Sequence, residues 1–502
     1  MKGIKMSIKS ARMISHDWLG DQENSTLKGW ILPIGLRHDL PIKEGFVPFK
    51  HQIEAYTLGC KLKNVAIFHE PGLGKTFTTV ALMGRRYLDK QIKRVLVVAP
   101  LSVVPVWGEE IEKYAGFDVQ TIALIGKKKV EKLSGFNGDC LNVAVINYES
   151  LRRIEKELTR WRPDMIILDE SQRIKSHRTK QSQALHRMGV YTKFRIILSG
   201  TPIGNCPTDL WSQYKFLQPN IFEKSFYAFR NHYAIMGGFE NRKVVAYKNV
   251  DSLKQKAHSI AHRATKEQAL DLPDYTNQTL YCELEQKATR VYKQLKKDAI
   301  AELSNDERIT APKVVTQMLR LSQLTGGFVK ADESEIYEQI SSAKLNLLEE
   351  ILQDYLAHKD RKVVIFARFI AEIQAIEKLV KATYGSGSVR TIYGAVKGEK
   401  RGRYVKEFQE DKGVRVFIAQ TQTAGLGITL HAADTAIFYS LDYRYIDYEQ
   451  ARARIHRAGQ KRACVAIHLV AKGTIDETVA KALKHKKDLA TEIIDNWDGF
   501  VG

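Results

Sequence analysis

Three groups of residues in this chain have the types and spacing to act on a phosphate. The first is Gly72-Leu73-Gly74-Lys75-Thr76, which follows the apolar run Val65–Phe68 and precedes Phe77–Met83. Glycines let the backbone bend and approach an anion, and the first amides of a following helix point outward along its dipole. Lys75 adds a charge that can reach β- and γ-phosphates, and the Thr76 hydroxyl can ligate magnesium. A full phosphate loop carries a glycine where His69 stands, so only the short form Gly-x-Gly-Lys-Thr matches. The competing reading is a glycine-rich strand-to-helix turn that happens to carry a lysine. The second group is Asp169-Glu170, directly after the apolar run Met165–Leu168. At the C-terminal edge of a parallel strand the aspartate can hold magnesium through water, and the glutamate can polarise an attacking water. A carboxylate pair capping the next helix is the alternative. The third group is Gln450, Arg454 and Arg457, spaced i, i+4 and i+7 over Tyr448–Arg457. That spacing predicts one helix face on which two guanidinium groups point together. Arginines delivered from outside a phosphate loop contribute about 10³ to 10⁵ in rate to phosphoryl transfer. A solvated arginine face, with Arg452 and Arg462 close by, has the same spacing.

Such groups need a sheet to position them. From Val47 onward, short β-branched runs alternate with longer amphipathic segments: Val65–Phe68, Val95–Ala99, Val143–Ile146, Met165–Leu168 and Arg195–Leu198. Nearly continuous apolar strands of this kind belong to a parallel sheet covered by helices on both faces. A second series comprises Val363–Ala367, Val389–Tyr393, Val414–Ala419, Thr435–Tyr439 and Val465–Val470. The expected fold is therefore α/β, with two parallel-sheet lobes in tandem. The predicted boundaries are an N-terminal segment over 1–45, a first lobe over 46–220 and helical insertions with an interlobe linker over 221–345. A second lobe over 346–480 and a C-terminal helix over 481–502 follow. The acidic stretch Asp332–Glu335 predicts an exposed loop, and no role attaches to residues 1–45, which hold Trp18 and Trp30.

Lys and Arg number 78 against 57 Asp and Glu, a formal charge of +21, which suggests a polyanionic partner, nucleic acid first, although a merely well-solvated surface fits the charge equally well. The five cysteines, Cys60, Cys140, Cys206, Cys282 and Cys464, are far apart and form no Cys-x-x-Cys pair. This argues against zinc fingers and disulfide frameworks and fits a reducing, intracellular location. The N-terminus lacks the apolar segment of a signal peptide. The longest strongly apolar stretch, Val95–Trp107, is too short for a bilayer and is broken by Pro100 and Pro105, so no membrane span is expected.

Read together, these motifs resemble the Swi/Snf type of superfamily-two nucleic-acid motor, in family order from about Phe49 to about Glu477. Phe49-Lys50-His51-Gln52 resembles the motif whose glutamine reads adenine, and Gly72–Thr76 resembles the nucleotide loop. Ala99-Pro100-Leu101-Ser102, with Trp107 and Glu110, resembles the first DNA-contacting motif, and Asn147-Tyr148-Glu149 a later one. Asp169–Lys175 is similar to the Asp-Glu-Ala-His box with its Arg-Ile-Lys tail, and Ser199-Gly200-Thr201-Pro202 to the motif that couples hydrolysis to movement. In the second lobe Val363–Phe366, the trio Gly394, Arg401 and Phe408, and Gly425-Leu426-Gly427-Ile428 match further motifs. Gln450-Ala451-x-x-Arg454-x-His456-Arg457-x-Gly459-Gln460 resembles the sixth and most diagnostic one.

The resemblance implies two RecA-like lobes with ATP and Mg2+ between them. It assigns Gln52, Gly72, Gly74, Lys75 and Thr76 to the nucleotide, and Thr76 and Asp169 to the metal. It also gives Glu170, Gln450, Arg454 and Arg457 the catalytic roles, and makes Ser102, Trp107, Tyr148, Ser199, Thr201, Arg401 and Gly425 candidates for coupling or DNA contact. It implies a DNA-dependent ATPase moving along duplex, forked or branched DNA in replication, recombination or repair, with a strand-separating helicase as the runner-up and a non-hydrolysing scaffold as a third reading. A single chain is expected to suffice, cytoplasmic or nucleoid-associated, and a bacterial or viral origin fits the compact plan. Lys397, Lys400, Arg401, Arg403 and Lys406 are further basic candidates for the DNA backbone. Three positions depart from the family: Pro71 for methionine, Ser171-Gln172 for Ala-His, and Thr423-Ala424 for Ala-Gly. None removes a phosphate, metal or water-polarising group, and the second falls on the link between the hydrolytic box and the coupling motif.

Overall fold

The structure, a computed structural model, describes residues 40–491 except 137, 238–242, 271, 306–310, 331–336, 397, 427 and 458. The expectations for 1–39, Asp332–Glu335, Lys397, Gly427 and 492–502 lie outside the described residues. In chain order the first lobe begins with six strands: β1 (Asn64–His69), β2 (Arg94–Ala99), β3 (Val119–Ala123), β4 (Leu141–Asn147), β5 (Met165–Asp169) and β6 (Phe194–Leu198). An antiparallel hairpin, β7 (Ala234–Gly237) and β8 (Lys243–Tyr247), stands apart from them, and β9 (Ala261–Ala264) then rejoins the sheet. The sheet order is β3-β4-β2-β5-β6-β1-β9 and every pairing in it is parallel.

The continuous apolar runs follow from burial on both faces. Successive strand residues point to opposite sides: Val95 and Val97 of β2 enter one core with Ile67, Val145 and Ile167, while Leu96 and Val98 enter the other with Phe68, Ile146 and Leu168. Helices Lys75–Leu88 and Val104–Tyr114 cover the first core, and Lys180–Tyr191 and Asp209–Leu217 the second. Covering both faces is what selects Val, Ile and Leu at every position instead of at alternate ones.

The second lobe repeats the plan. Its strands are β10 (Tyr275–Cys282), a small hairpin of β11 (Phe328–Lys330) and β12 (Tyr337–Gln339), then β13 (Val363–Ala367), β14 (Val389–Ile392), β15 (Val416–Gln420), β16 (Thr435–Phe438) and β17 (Cys464–Ala471). The main sheet runs β10-β17-β16-β13-β15-β14, all parallel. The expected tandem of parallel-sheet lobes is thus present. The segment 221–345, expected to be helical insertion and linker, is more than that: it supplies β9 to one sheet and β10 to the other. Its two long helices, Gln286–Asn305 and Ala311–Thr325, pack through Tyr292, Leu321 and Leu324 on Val479 and Leu483 of helix Ile475–Ala490. That last helix starts six residues before the expected position. Among the described residues no helix is long and apolar enough to cross a membrane, and all five cysteines are free thiols.

A buried ion pair fixes these helices to the second lobe. Lys344 is only 2% exposed; its Nζ lies 2.6 Å from Asp476 Oδ2 and donates to the Tyr439 carbonyl at 3.2 Å. Asp476 also accepts from Thr325 Oγ1 at 2.8 Å and from Ala471 N at 3.0 Å. Removing one partner of such a pair strands the other charge in a low dielectric. Lys344→Met should therefore lower stability by about 3–5 kcal/mol, measured by calorimetry of the intact chain as an earlier melting transition. Lys381→Met, which breaks an exposed i,i+4 pair with Glu377, should cost less than about 1 kcal/mol. Equal shifts in the two variants would contradict the assignment.

Candidate functional site

The phosphate loop leaves β1 at the C-terminal edge of the first sheet, where ligands of parallel sheets gather. Gly72 and Gly74 have φ of +95° and +71°, the left-handed region that glycine enters without strain. A Cβ at Gly74 would lie 2.2 Å from Gln52 Nε2, so any other residue there would have to displace the glutamine as well as strain the backbone. Gln52 is buried; its amide donates to the Leu73 carbonyl at 3.3 Å and its oxygen accepts from Phe49 N at 2.9 Å. Lys75 opens helix Lys75–Leu88 and donates to the His69 carbonyl at 2.9 Å. Burial pushes its ammonium below the ordinary value, with Glu170 and then Asp169 opposing. Thr76 follows at the first helical turn, half-buried.

His69 replaces the first glycine because its side chain turns under the loop. The ring is fully buried, its Nε2 is 2.9 Å from His262 Nδ1, and the His51 ring lies edge-on to it, 5.1 Å away. Burial, then His262 and the other nearby cationic groups, holds His69 well below its ordinary pKa, so it packs as a neutral ring.

Two strands away, β5 delivers the carboxylates. Glu170 takes φ +52°, uncommon outside glycine and concentrated at functional positions. The Trp107 indole donates to Asp169 Oδ2 at 2.9 Å, Glu170 N donates to Asp169 Oδ1 at 3.0 Å, and the Tyr148 hydroxyl donates to the Asp169 carbonyl at 2.7 Å. Trp107 and Tyr148 are each 1% exposed. These two candidates for coupling or DNA contact sit beneath Asp169, Trp107 holding its carboxylate and Tyr148 its backbone carbonyl. Their sequence signal is the same either way, an aromatic after a strand, and only burial separates the two roles. Burial and then the Glu170 carboxylate push Asp169 up to about 6, against the indole and Lys75, which favour the ionised form. The Thr76 hydroxyl and the Asp169 carboxylate are hard oxygen donors of the kind magnesium takes when most of its shell is water and phosphate.

The Ser171-Gln172 departure connects the Asp169-Glu170 pair to the Ser199–Pro202 stretch. Gln172 Nε2 donates to Glu170 Oε2 at 2.5 Å, while its Oε1 accepts from Ser199 Oγ at 2.7 Å. Ser199 Oγ accepts in turn from Thr201 N at 3.0 Å. Ser171 Oγ donates to Gln213 Oε1 at 2.7 Å, and Gln213 Nε2 reaches the Pro202 carbonyl at 2.8 Å. Gln213 was invisible as a site residue in the sequence because it lies inside an apolar helix. Pro71 packs on the same motif: a Cβ at Gly200 would stand 2.6 Å from Pro71 Cδ.

The second lobe brings its arginines to this loop. Their predicted helix face is corrected: the helix is Tyr445–Arg452, and Arg454 and Arg457 lie in the turns beyond it. Gln460 builds those turns, donating to the carbonyls of His431, Ala433 and Ile455 and accepting from Lys461 N and Arg462 N. Arg457 Nη1 donates to Thr429 Oγ1 at 2.7 Å, and its Cβ lies 3.6 Å from where a Gly72 Cβ would be. Arg454 is 8% exposed and its Nε is buried without a hydrogen-bond partner. Burial first and then Arg457 push the Arg454 guanidinium down to about 10, with Glu170 opposing. Gln450 is half-buried on the preceding helix. A lysine and two arginines thus converge around a glycine loop beside two carboxylates.

The remaining candidates lie outside this cluster. Ser102 is half-buried in the turn after β2, and Gly425 is on the 3₁₀ turn Thr421–Leu426 after β15. Arg401 folds back on its own lobe, donating to the carbonyls of Tyr393 at 3.4 Å and Gly394 at 3.3 Å.

Residues 18–325 match the SNF2-related domain, and residues 343–459 match the helicase conserved C-terminal domain. The chain is 28% identical over 442 residues to a chromodomain-helicase-DNA-binding protein 1-like of Danio rerio, an alignment covering 85% of this chain and 41% of that protein. It is 28% identical over 476 residues to a DNA repair and recombination protein RAD54-like of Drosophila pseudoobscura pseudoobscura, covering 85% and 60%. It therefore spans roughly two fifths to three fifths of the length of these relatives. A solved structure described as a Sulfolobus solfataricus SWI2/SNF2 ATPase core in complex with dsDNA is 25% identical, covers 92% of this chain and 96% of that one, and aligns with a TM-score of 0.43.

The Trp107–Asp169 bond has a measurable consequence. Were Asp169 to hold magnesium it would do so as the ionised carboxylate, so magnesium-dependent nucleotide binding would weaken as pH falls through about 6. Trp107→Phe removes a donor that favours ionisation, so the midpoint should move to higher pH by about one unit. Fluorescent-nucleotide titrations from pH 5 to 8 at fixed Mg2+ measure this. An unmoved midpoint would contradict the bond's role.

Proposed function

The chain belongs to the SNF2-related family, and on that premise we propose that it is an ATP-dependent motor that binds DNA and hydrolyses ATP in the cleft between its lobes. The observation that carries this reading is the convergence of Lys75, Arg454 and Arg457, all pushed below their ordinary pKa by burial, on one glycine loop. Desolvated like charges are unfavourable together until an anion joins them. The triphosphate of ATP is such an anion.

In this reading Gly72, Gly74 and Lys75 hold the β- and γ-phosphates, and Gln52 lies on the adenine side of the loop. Thr76 and Asp169 would hold magnesium, which neutralises charge on the phosphate oxygens when bound. Glu170, oriented by Gln172, accepts the proton of the attacking water and aligns it on the γ-phosphate. Arg454 and Arg457 stabilise the charge that spreads over the equatorial oxygens as the bond to the leaving oxygen breaks. Gln450 sets the approach of the helix that precedes them. Loss of the γ-phosphate removes what the arginines were drawn to and so loosens the boundary between the lobes, and the Gln172–Ser199 contact passes that change to the coupling loop.

The formal charge of +21 supports a polyanionic track bound through its backbone phosphates, hence salt-sensitive and largely sequence-independent. The names of the relatives support DNA as that track and repair or recombination as the setting. We take duplex or branched DNA as the substrate and translocation as the output, carried out by a single chain.

Phosphate release should be stimulated by duplex, forked or four-way DNA and fall steeply as salt rises from about 50 to 200 mM. Stimulation by RNA alone would overturn the substrate. Glu170→Gln should reduce turnover by at least about 10³-fold while ATP and DNA binding persist; wild-type turnover in that variant would remove Glu170 from the mechanism.

A further inference from the structure

Only ten residues, 265–274, join the last strand of the first sheet to the first strand of the second. Lys266 stands near their start, at the head of a short helix, Lys266–Ala269, closed by a reciprocal cap between Thr265 and Gln268. Its backbone N donates to Glu70 Oε2 at 3.1 Å. Glu70 immediately precedes Pro71 and Gly72, and its other oxygen accepts from Arg263 Nη2 at 3.3 Å. Arg263 Nη1 also donates to the carbonyls of Phe68, at 2.8 Å, and Gly200, at 3.2 Å. The main chain of Lys266 is thereby tied to the phosphate loop.

Its side chain reaches the other lobe. Lys266 is 8% exposed, and its ammonium donates to the backbone carbonyl of His456. His456 lies between Arg454 and Arg457 in sequence, so this contact holds the stretch of backbone that carries both guanidinium groups. His456 is fixed on its far side as well: its Nε2 donates to the Pro273 carbonyl at 2.9 Å, and its ring lies 5.0 Å from that of Tyr275.

We propose that Lys266 is a positioning residue: it clamps the arginine segment of the second lobe to the phosphate loop of the first, so that Arg454 and Arg457 are aimed before nucleotide arrives. The clamp is built from this chain's geometry, and its effect on turnover rests on the ATPase reading above. Lysine suits the task because an ammonium donates more strongly to a carbonyl than a neutral group does. Burial pushes the Lys266 ammonium down to about 8; Glu70 and Glu449 favour its charged form, while Arg452 and Arg457 oppose it. The clamp therefore weakens as pH rises through about 8, because the neutral amine is the poorer donor.

The test uses Lys266→Met and Lys266→Arg in the full chain. Phosphate release with duplex DNA gives kcat and the KM for ATP, and hydrogen–deuterium exchange without nucleotide reports on residues 452–460. In Lys266→Met, kcat should fall about 10- to 100-fold, the loss expected when a reacting group is displaced by about 1 Å. The KM should stay within about twofold, and exchange should rise over 452–460 but not in β1–β6. Lys266→Arg, which stays charged at every accessible pH, should restore most of kcat and abolish the fall in wild-type kcat above pH 8. Wild-type kcat and wild-type exchange in Lys266→Met would overturn the clamp, and so would exchange raised throughout both sheets, the mark of a folding brace. A wild-type chain that releases no phosphate would sink the ATPase reading alone, and the exchange over 452–460 would then decide the clamp by itself.

Discussion

The structure depends on an electrostatic tension held at the boundary between its lobes. Arg454 is buried and Lys75 and Arg457 are half-buried around it, and one guanidinium nitrogen of Arg454 is left without a partner. Such an arrangement is costly by itself. It persists because contacts around it close the boundary independently: Ile446 packs where a Gly204 side chain would be, and Lys486 Nζ bonds Asn205 Oδ1 at 3.1 Å and the Tyr443 carbonyl at 2.7 Å. A multiply charged anion in the cleft would turn the tension into attraction, and so would favour the closed form by its differential affinity for it. Hydrolysis of that anion would remove the favour.

Much of this was legible in the sequence for a physical reason. Strands buried on both faces must be apolar at every position, so β1, β2, β4, β5, β6 and β13 stand out as unbroken Val/Ile/Leu runs. The strands that escaped detection are those the rule does not govern. β10, Tyr-Thr-Asn-Gln-Thr-Leu-Tyr-Cys, is an edge strand with mostly exposed side chains, and β3 is half-buried along its whole length. β9 is four residues long and mixes His262 and Arg263 with alanine. Periodicity also misled at Arg454 and Arg457, where helical spacing is realised by turns that Gln460 holds together. Trp107 and Tyr148 have the side chains of a nucleic-acid surface, and burial, which no single sequence displays, turns them inward to Asp169.

Two of the departures from the family pattern, Pro71 and Ser171-Gln172, are accommodated around the same short stretch of chain. Pro71 fits because residue 200 is a glycine, and it brings the phosphate loop and the coupling loop into van der Waals contact. Gln172 has both a donor and an acceptor in one amide, and it uses one on Glu170 and the other on Ser199. Ser171, in place of a methyl group, adds a second route to the same loop through Gln213 and Pro202. Pro71, Ser171 and Gln172 thus all reach one short stretch, Ser199–Pro202.

The brevity of the connection between the sheets has a kinetic meaning. Ten residues span at most about 35 Å even when fully stretched, and the two halves have no other covalent link. Were they to part, each half would remain within reach of the other at an effective concentration of about millimolar. Re-association is then a local search and not a diffusional encounter. Its rate is independent of protein concentration, and the duration of each open interval is set by the cord and by whatever occupies the gap.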